Sequence, residues 1–122
     1  MKNMDRRKQT GRRGEEIAVT HLLNKGYKLV QRNWSCPGGE VDIIMKDNDR
    51  LVFVEVRTRR GRRFGTAEES VTPAKQARLI ELAQTYLQEM AAPLLSWRID
   101  VVAVQLGPDR PVVNHIENAV GW

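Results

Sequence analysis

Asp42, Glu55 and Arg57 are the residues of this chain best suited to chemistry, because they interrupt two segments that are otherwise apolar. In Gly39-Glu40-Val41-Asp42-Ile43-Ile44 and Phe53-Val54-Glu55-Val56-Arg57, Val, Ile and Phe alternate with charge at the period of a strand. Asp47-Asn48-Asp49-Arg50 lies between them, and a two-residue turn at Asn48-Asp49 sets Asp47 against Arg50, Lys46 against Leu51 and Ile44 against Phe53. Continued, that register sets Asp42 opposite Glu55 and Glu40 opposite Arg57. Opposed side chains on a sheet face have Cβ atoms roughly 4.5–5.5 Å apart. Two carboxylates that close repel one another, and a shared divalent cation is the simplest remedy. Mg²⁺ and Mn²⁺ suit the pair, since such ions take one or two carboxylates together with water and phosphate oxygens. Asp42 and Glu55 are therefore the expected metal ligands.

Arg57 follows Glu55 by two and shares its face, where a guanidinium could orient water or neutralise charge on a phosphodiester transition state. Arginine does not give up its proton, so the base must come from cation-activated water. Glu40, facing Arg57, is expected to hold that guanidinium in a salt bridge. A third carboxylate, Glu15, stands three and seven residues before Ala18 and Leu22 on the inward stripe of a helix. Read alone, a Glu near a helix start is a favourable dipole interaction; read with Asp42 and Glu55, it completes a three-carboxylate site.

The elements that must hold these residues follow from the same patterning. A one-residue slip of the hairpin would move Asp42 onto the face of Val52, Val54 and Val56, so the unslipped register is preferred. It places Val41, Ile43 and Met45 with those valines on one apolar face, to be buried. Residues 1–10 are expected to be a disordered basic tail, and 11–122 a single domain. A helix is predicted from Gly11 to Asn24, with Ile17, Ala18, Leu22 and Leu23 inward and Gly26 ending it. Tyr27 to Asn33 reads as a strand, Trp34 to Gly38 as a loop, Glu40 to Thr58 as the hairpin, and Arg59 to Val71 as a flexible connection. Thr72-Pro73 caps a second helix that runs through Leu79, Leu82, Ala83, Tyr86 and Leu87. Trp97 to Leu106 is a central strand, and after a turn at Gly107-Pro108-Asp109 a short strand covers Val112 to Ile116. The order α-β-β-β-α-β-β predicts an α/β layered domain with a mixed central sheet flanked by helices.

Charge is distributed unevenly. The chain has 122 residues and a formal net charge of +5. Residues 1–13 carry a net of +5, and residues 57–63 carry +5 through Arg57, Arg59, Arg60, Arg62 and Arg63, leaving the remainder at −5. Charge-solubilised loops would account for either segment singly. Five arginines beginning beside the acid pair point instead to a polyanion, since the planar guanidinium suits phosphate. Arg59, Arg60, Arg62 and Arg63 are the expected nucleic-acid contacts, with Lys75 and Gln76 in the first turn of the second helix. No apolar span follows the basic start and no amphipathic helix accompanies the charges, so no membrane association is expected. The single cysteine, Cys36, excludes an internal disulfide and suggests a cytoplasmic protein.

Asp42 followed by Glu55-Val56-Arg57, with a Glu on the preceding helix, resembles the PD-(D/E)XK nucleases and their restriction-endonuclease-like fold. Gly14-Glu15, Gly39-Glu40-Val41-Asp42, Phe53-Val54-Glu55-Val56-Arg57, Val71-Thr72-Pro73-Ala74-Lys75-Gln76 and Arg98-Ile99-Asp100-Val101-Val102-Ala103-Val104 resemble the YraN-like family of uncharacterised bacterial proteins. The resemblance runs from about Gly11 to Ala119 and implies a fold like that of Holliday-junction resolvases. It also implies catalytic roles for Asp42, Glu55, Arg57 and Glu15. Arg57 stands where the wider group has Lys, and Val41 stands where the motif has Pro.

Other residues have plainer readings. Asp100 is expected to pair with Arg98, Trp34 to pack over the sheet rather than stack on a base, and Phe64-Gly65 to anchor a loop; His21 and His115 look isolated. The first expectation is a Mg²⁺- or Mn²⁺-dependent nuclease-like protein that hydrolyses phosphodiesters, with DNA favoured over RNA. One such site cuts one strand, so a duplex cutter is expected to be a homodimer. The alternatives are a non-catalytic nucleic-acid-binding module of the same fold and a protein-interaction subunit.

Overall fold

The computed structural model describes residues 6–61, 71–90 and 96–120. Its elements follow the expected order: α1 (Arg6–Asn24), β1 (Lys28–Cys36), β2 (Gly39–Asp47), β3 (Arg50–Arg60), α2 (Pro73–Glu89), β4 (Trp97–Leu106) and β5 (Val112–Ile116). They build a five-stranded mixed sheet in the order β1-β2-β3-β4-β5, parallel between β3 and β4 and antiparallel elsewhere. The parallel pair is possible because α2 carries the chain back between β3 and β4. Among the described residues, no helix is long and apolar enough to cross a membrane.

Alternation along the strands sends side chains to two cores. Leu51, Phe53, Ile99 and Val101 pack with Leu79, Leu82, Ala83, Tyr86 and Leu87 of α2. Val52, Val54, Val102 and Val104 pack with Ala18, Val19 and Leu22 of α1. One helix therefore covers each face. Trp34 is core, as expected, and meets Tyr86 edge-on at 5.3 Å. At the start of α2 the side chain of Thr72 accepts the Lys75 N–H, so the cap predicted from Thr72-Pro73 is present.

Four boundaries or faces differ from the sequence expectation. α1 begins at Arg6 rather than Gly11, so residues 6–10 are helix and not tail. Its early turns are docked: the Arg60 Nε–H donates to Thr10 Oγ1 at 2.7 Å. β1 continues through Cys36, because Trp34, Ser35 and Cys36 pair with Val41, Glu40 and Gly39 where a loop was expected. β3 extends to Arg60 in register with β4, so Arg59 and Arg60 belong to a strand rather than to a flexible connection. Leu23 is exposed, since Ala18, Val19 and Leu22 already form the buried stripe of α1.

Candidate functional site

The hairpin register near the turn is the predicted one, with Asp47 against Arg50, Lys46 against Leu51, Met45 against Val52, Ile44 against Phe53 and Ile43 against Val54. There the ladder stops. Asp42 does not pair directly with Glu55, nor Glu40 with Arg57. Instead the Asp42 carboxylate reaches across the gap, and its Oδ2 accepts the Val56 N–H at 2.8 Å. A side chain thus replaces the carbonyl that a continued ladder would have supplied, satisfying a backbone donor in a partly buried place. Side-chain alternation breaks at the same point: Val41 packs in the α2-side core with Trp34 and Phe53, whereas Ile43 and Met45 pack on the α1 side. The expectation of one apolar face shared by Val41, Ile43 and Met45 therefore fails.

The separation of β2 from β3 opens the sheet to both sides. Asp42 and Glu55 line a cleft of about 800 Å³ on the α1 side, together with Glu15, Arg57, Arg59 and Arg60. The same two acids line a second cleft of about 270 Å³ under α2. Burial raises the Asp42 carboxyl to about 7, and the nearby negative charge of Glu55 adds to the rise; Glu15 and Glu40 act the same way, against the Val56 hydrogen bond. Asp42 is thus an acid pressed toward its neutral form by neighbours of its own sign.

Arg57 is tethered to one of those neighbours, with Nη1 at 3.4 Å from Glu55 Oε2. Both keep partial access to solvent, at 27% and 20% side-chain exposure, so neither is sealed into the core. The predicted Glu40–Arg57 bridge is absent, because Glu40 is exposed and registered against Ser35 on β1.

Glu15 reaches the cleft because α1 comes unusually close to β3. A Cβ built on Gly14 would lie 1.8 Å from Thr58 Oγ1, so only glycine allows the contact. A glycine inside a helix costs about 1 kcal/mol relative to alanine, and here it sets the depth of the following residue. Since α1 starts at Arg6, Glu15 lies well inside the helix, and the dipole explanation for it does not apply. Its Oε1 accepts from Asn33 Nδ2 at 3.1 Å. Asn33 has φ 52°, a left-handed conformation that Asn tolerates better than most residues. Sequence reading missed Asn33, and its only signal was an Asn inside a strand.

The predicted phosphate contacts divide. Arg59 and Arg60 line the wider cleft. Lys75 lines the smaller one, and so does Arg78, which was not anticipated although it lies three residues on along the same helix face. Arg6, likewise unanticipated, joins the wider cleft from the first turn of α1. Gln76 lines neither, and its side-chain amide donates to Val71 O at 3.1 Å. Arg62, Arg63, Phe64 and Gly65 lie outside the described residues.

Two carboxylates facing a solvent-accessible, arginine-rich cleft fit a hard divalent cation that completes its shell with water and phosphate oxygens. Among the described residues, no three Asp, Glu, His or Cys side chains converge tightly enough to form a protein-only metal cage. Asp42 and Glu55 are the residues that would hold such an ion, and Glu15 lines the same cleft.

Residues 14–104 match the uncharacterised protein family UPF0102, a span that contains every acidic residue of the site. The chain belongs to this family. It is 43% identical over 115 residues to a UPF0102 protein of Dehalococcoides mccartyi, covering 94% of this chain and 95% of that one. It is 46% identical over 118 residues to one from Roseiflexus castenholzii, covering 94% and 95%. A Symbiobacterium thermophilum UPF0102 protein is 47% identical over 102 residues, covering 84% and 86%. The UPF0102 assignment agrees with the YraN-like resemblance of the motifs, and the matched span covers α2 and α1 from Gly14 onward.

The site has a counterpart elsewhere in this UPF0102 sheet. Arg98 donates to Asp100 at 2.9 and 3.2 Å, to Tyr27 Oη at 2.6 Å and to Asp47 at 3.2 Å. His115, which looked isolated in the sequence, has Nε2 at 2.7 Å from Asp100 Oδ2 and Nδ1 at 2.8 Å from Lys25 Nζ. Burial would raise the Asp100 carboxyl, but hydrogen bonds from His115, Arg98 and the Asn118 N–H overcome it and hold the group below its usual value. With both ring nitrogens occupied, His115 is structural.

Proposed function

We propose that this protein is a nucleic-acid-binding, metal-dependent nuclease-like protein that hydrolyses phosphodiester bonds with Mg²⁺ or Mn²⁺. The observation that carries the reading is the Asp42–Glu55 pair on an arginine-walled cleft, in which Asp42 has no cationic partner among the described residues and Glu55 has only Arg57. Burial and like charge favour a cation at the pair, while Arg57, Arg59 and Arg60 favour a phosphate beside it. A divalent ion there would polarise the phosphate and make water a better nucleophile at neutral pH.

The protein's own residues do the positioning. The Val56 N–H fixes one oxygen of Asp42, leaving the other for the ion. Arg57 orients Glu55 and presents its remaining N–H groups to a phosphate, where they would neutralise charge gained in the transition state. Arg57 takes no proton. DNA is the favoured polyanion, and two copies would be needed to cut both strands of a duplex. The resemblance to the PD-(D/E)XK nucleases supports the same reading.

The test is cleavage of linear and branched DNA with Mn²⁺, comparing wild type with Glu55→Ala. Cleavage by wild type alone is expected. A second reading, a binding module that cuts nothing, draws on the Arg57–Glu55 ion pair, which occupies one of the two ligands. Tight, salt-sensitive DNA binding with no cleavage in either Mg²⁺ or Mn²⁺ would select it.

A further inference from the structure

The wider cleft leaves the smaller one under α2 without a role. Its floor is apolar, from Leu79 and Leu82, and its walls carry Glu40, Asp42 and Glu55 against Lys75 and Arg78. The Arg78 guanidinium lies over Gly39: a Cβ there would come within 2.9 Å of Arg78 Nη2, at a backbone φ of +145° that disfavours other residues. Gly39 thus leaves room for the guanidinium beside the acid pair. Among the described residues, neither the Lys75 nor the Arg78 side chain enters an ion pair, although three carboxylates line the same cleft. Both side chains are exposed.

The charge balance of this cleft is conditional. Without a cation the carboxylates at least balance Lys75 and Arg78, and a divalent cation at Asp42 and Glu55 makes the cleft net positive. The wider cleft differs, because its arginines outnumber its acids with or without a cation. At about 270 Å³ the smaller cleft falls below the roughly 300 Å³ at which small-molecule sites begin, so it fits a phosphate and sugar but not a base pair.

We propose that Lys75 and Arg78 form a phosphate subsite that fills only when the acid pair holds its cation. A single nucleic-acid strand then runs from the arginine-walled cleft across Asp42 and Glu55 and leaves under α2. The subsite rests on the proposed function above, and it adds that the strand is unpaired where it crosses the acids. Cation and strand bind reciprocally, each raising the affinity for the other.

The test is fluorescence anisotropy of a short labelled oligothymidylate in Ca²⁺ and in EDTA, as a function of salt. Wild type should gain about tenfold in affinity on adding Ca²⁺. Arg78→Gln and Lys75→Gln should each lose most of that gain and lower the salt slope by about 0.7 in Ca²⁺ only. Arg78→Lys should keep much of the gain, because the charge remains, and Arg60→Gln should weaken binding in both conditions. The subsite is overturned if Arg78→Gln binds as wild type does in Ca²⁺, or weakens equally in EDTA. If wild type binds but gains nothing from Ca²⁺, the subsite alone falls; if it binds in neither condition, the nuclease-like reading falls with it. The variants should melt as wild type does, since both side chains are exposed; should Arg78→Gln unfold, Lys75→Gln carries the same comparison.

Discussion

Two charged clusters lie one strand apart in the same sheet, and they are built on opposite principles. Asp100 is registered against Val54, the residue before Glu55, yet the two carboxylates have different surroundings. Asp100 is fully buried and meets Arg98, His115 and the Asn118 N–H, so its charge is answered on every side. Asp42 has one backbone donor and three carboxylates, Glu55, Glu15 and Glu40, for company. A charge compensated from within the chain is a structural device, whereas one left uncompensated beside an open cleft is an invitation to a ligand. The contrast separates roles that residue type alone does not.

The sharpest way to break that contrast is to remove Arg98. Arg98→Ala should destabilise the fold by about 3–5 kcal/mol, because it strands a buried Asp100 charge. Chemical denaturation at pH 7 measures it, and a loss near zero would mean the cluster is solvated rather than structural. Gly14→Ala should cost on the order of 1–3 kcal/mol by forcing α1 away from Thr58. In the same variant Glu15 withdraws from the cleft, so any Mn²⁺-dependent activity should fall further than stability does.

Asp42→Asn should have the reverse sign from Arg98→Ala, stabilising the metal-free protein by about 1–2 kcal/mol at pH 8. The pH dependence follows from the direction of the shift. A carboxyl raised in the folded state holds its proton while the unfolded chain ionises near roughly pH 3.9. Asp42 therefore lowers stability progressively as pH rises from about 4 to about 7. Asp100, held below its usual value, contributes stability at every pH above the unfolded value of roughly 3.9 and loses it as pH falls through its lower folded value. Melting curves from pH 3 to pH 8 should show Asp42→Asn flattening the upper limb and Asp100→Asn removing the acid-side loss. The smallest effect is that of the ion. Mg²⁺ at ten times its dissociation constant should stabilise wild type by about 1.4 kcal/mol and Asp42→Asn far less. An equal shift in both proteins would place the ion elsewhere.

Much of the fold was legible because it rests on period and punctuation. Ile44 against Phe53 and Met45 against Val52 follow from a two-residue turn and a buried face, and Thr72-Pro73 announces α2 without help from the rest of the chain. The end of the ladder was not legible. Nothing in Gly39-Glu40-Val41-Asp42 shows that the Asp42 side chain would displace a backbone partner, because that choice depends on where β3 lies after Val54. The start of α1 was misjudged for a similar reason. Residues 6–10 look like solvated charge in isolation, and they are ordered by contacts such as that of Thr10 with Arg60, 50 positions away. His115 looked isolated because Asp100 and Lys25 reach it only through the sheet.

The amino-acid sequence by itself determined the element order, the hairpin register near its turn, the family and the two acids worth testing, since all are written in local patterns. Only the tertiary structure decided that these acids meet across a parting of β2 from β3 rather than across a ladder, and that arginines approach them from both faces of the sheet. The reason is that hydrogen-bond pairing and hydrophobic period act between near neighbours, whereas the field at a carboxyl is summed over every charge and every layer of burial that folding brings around it.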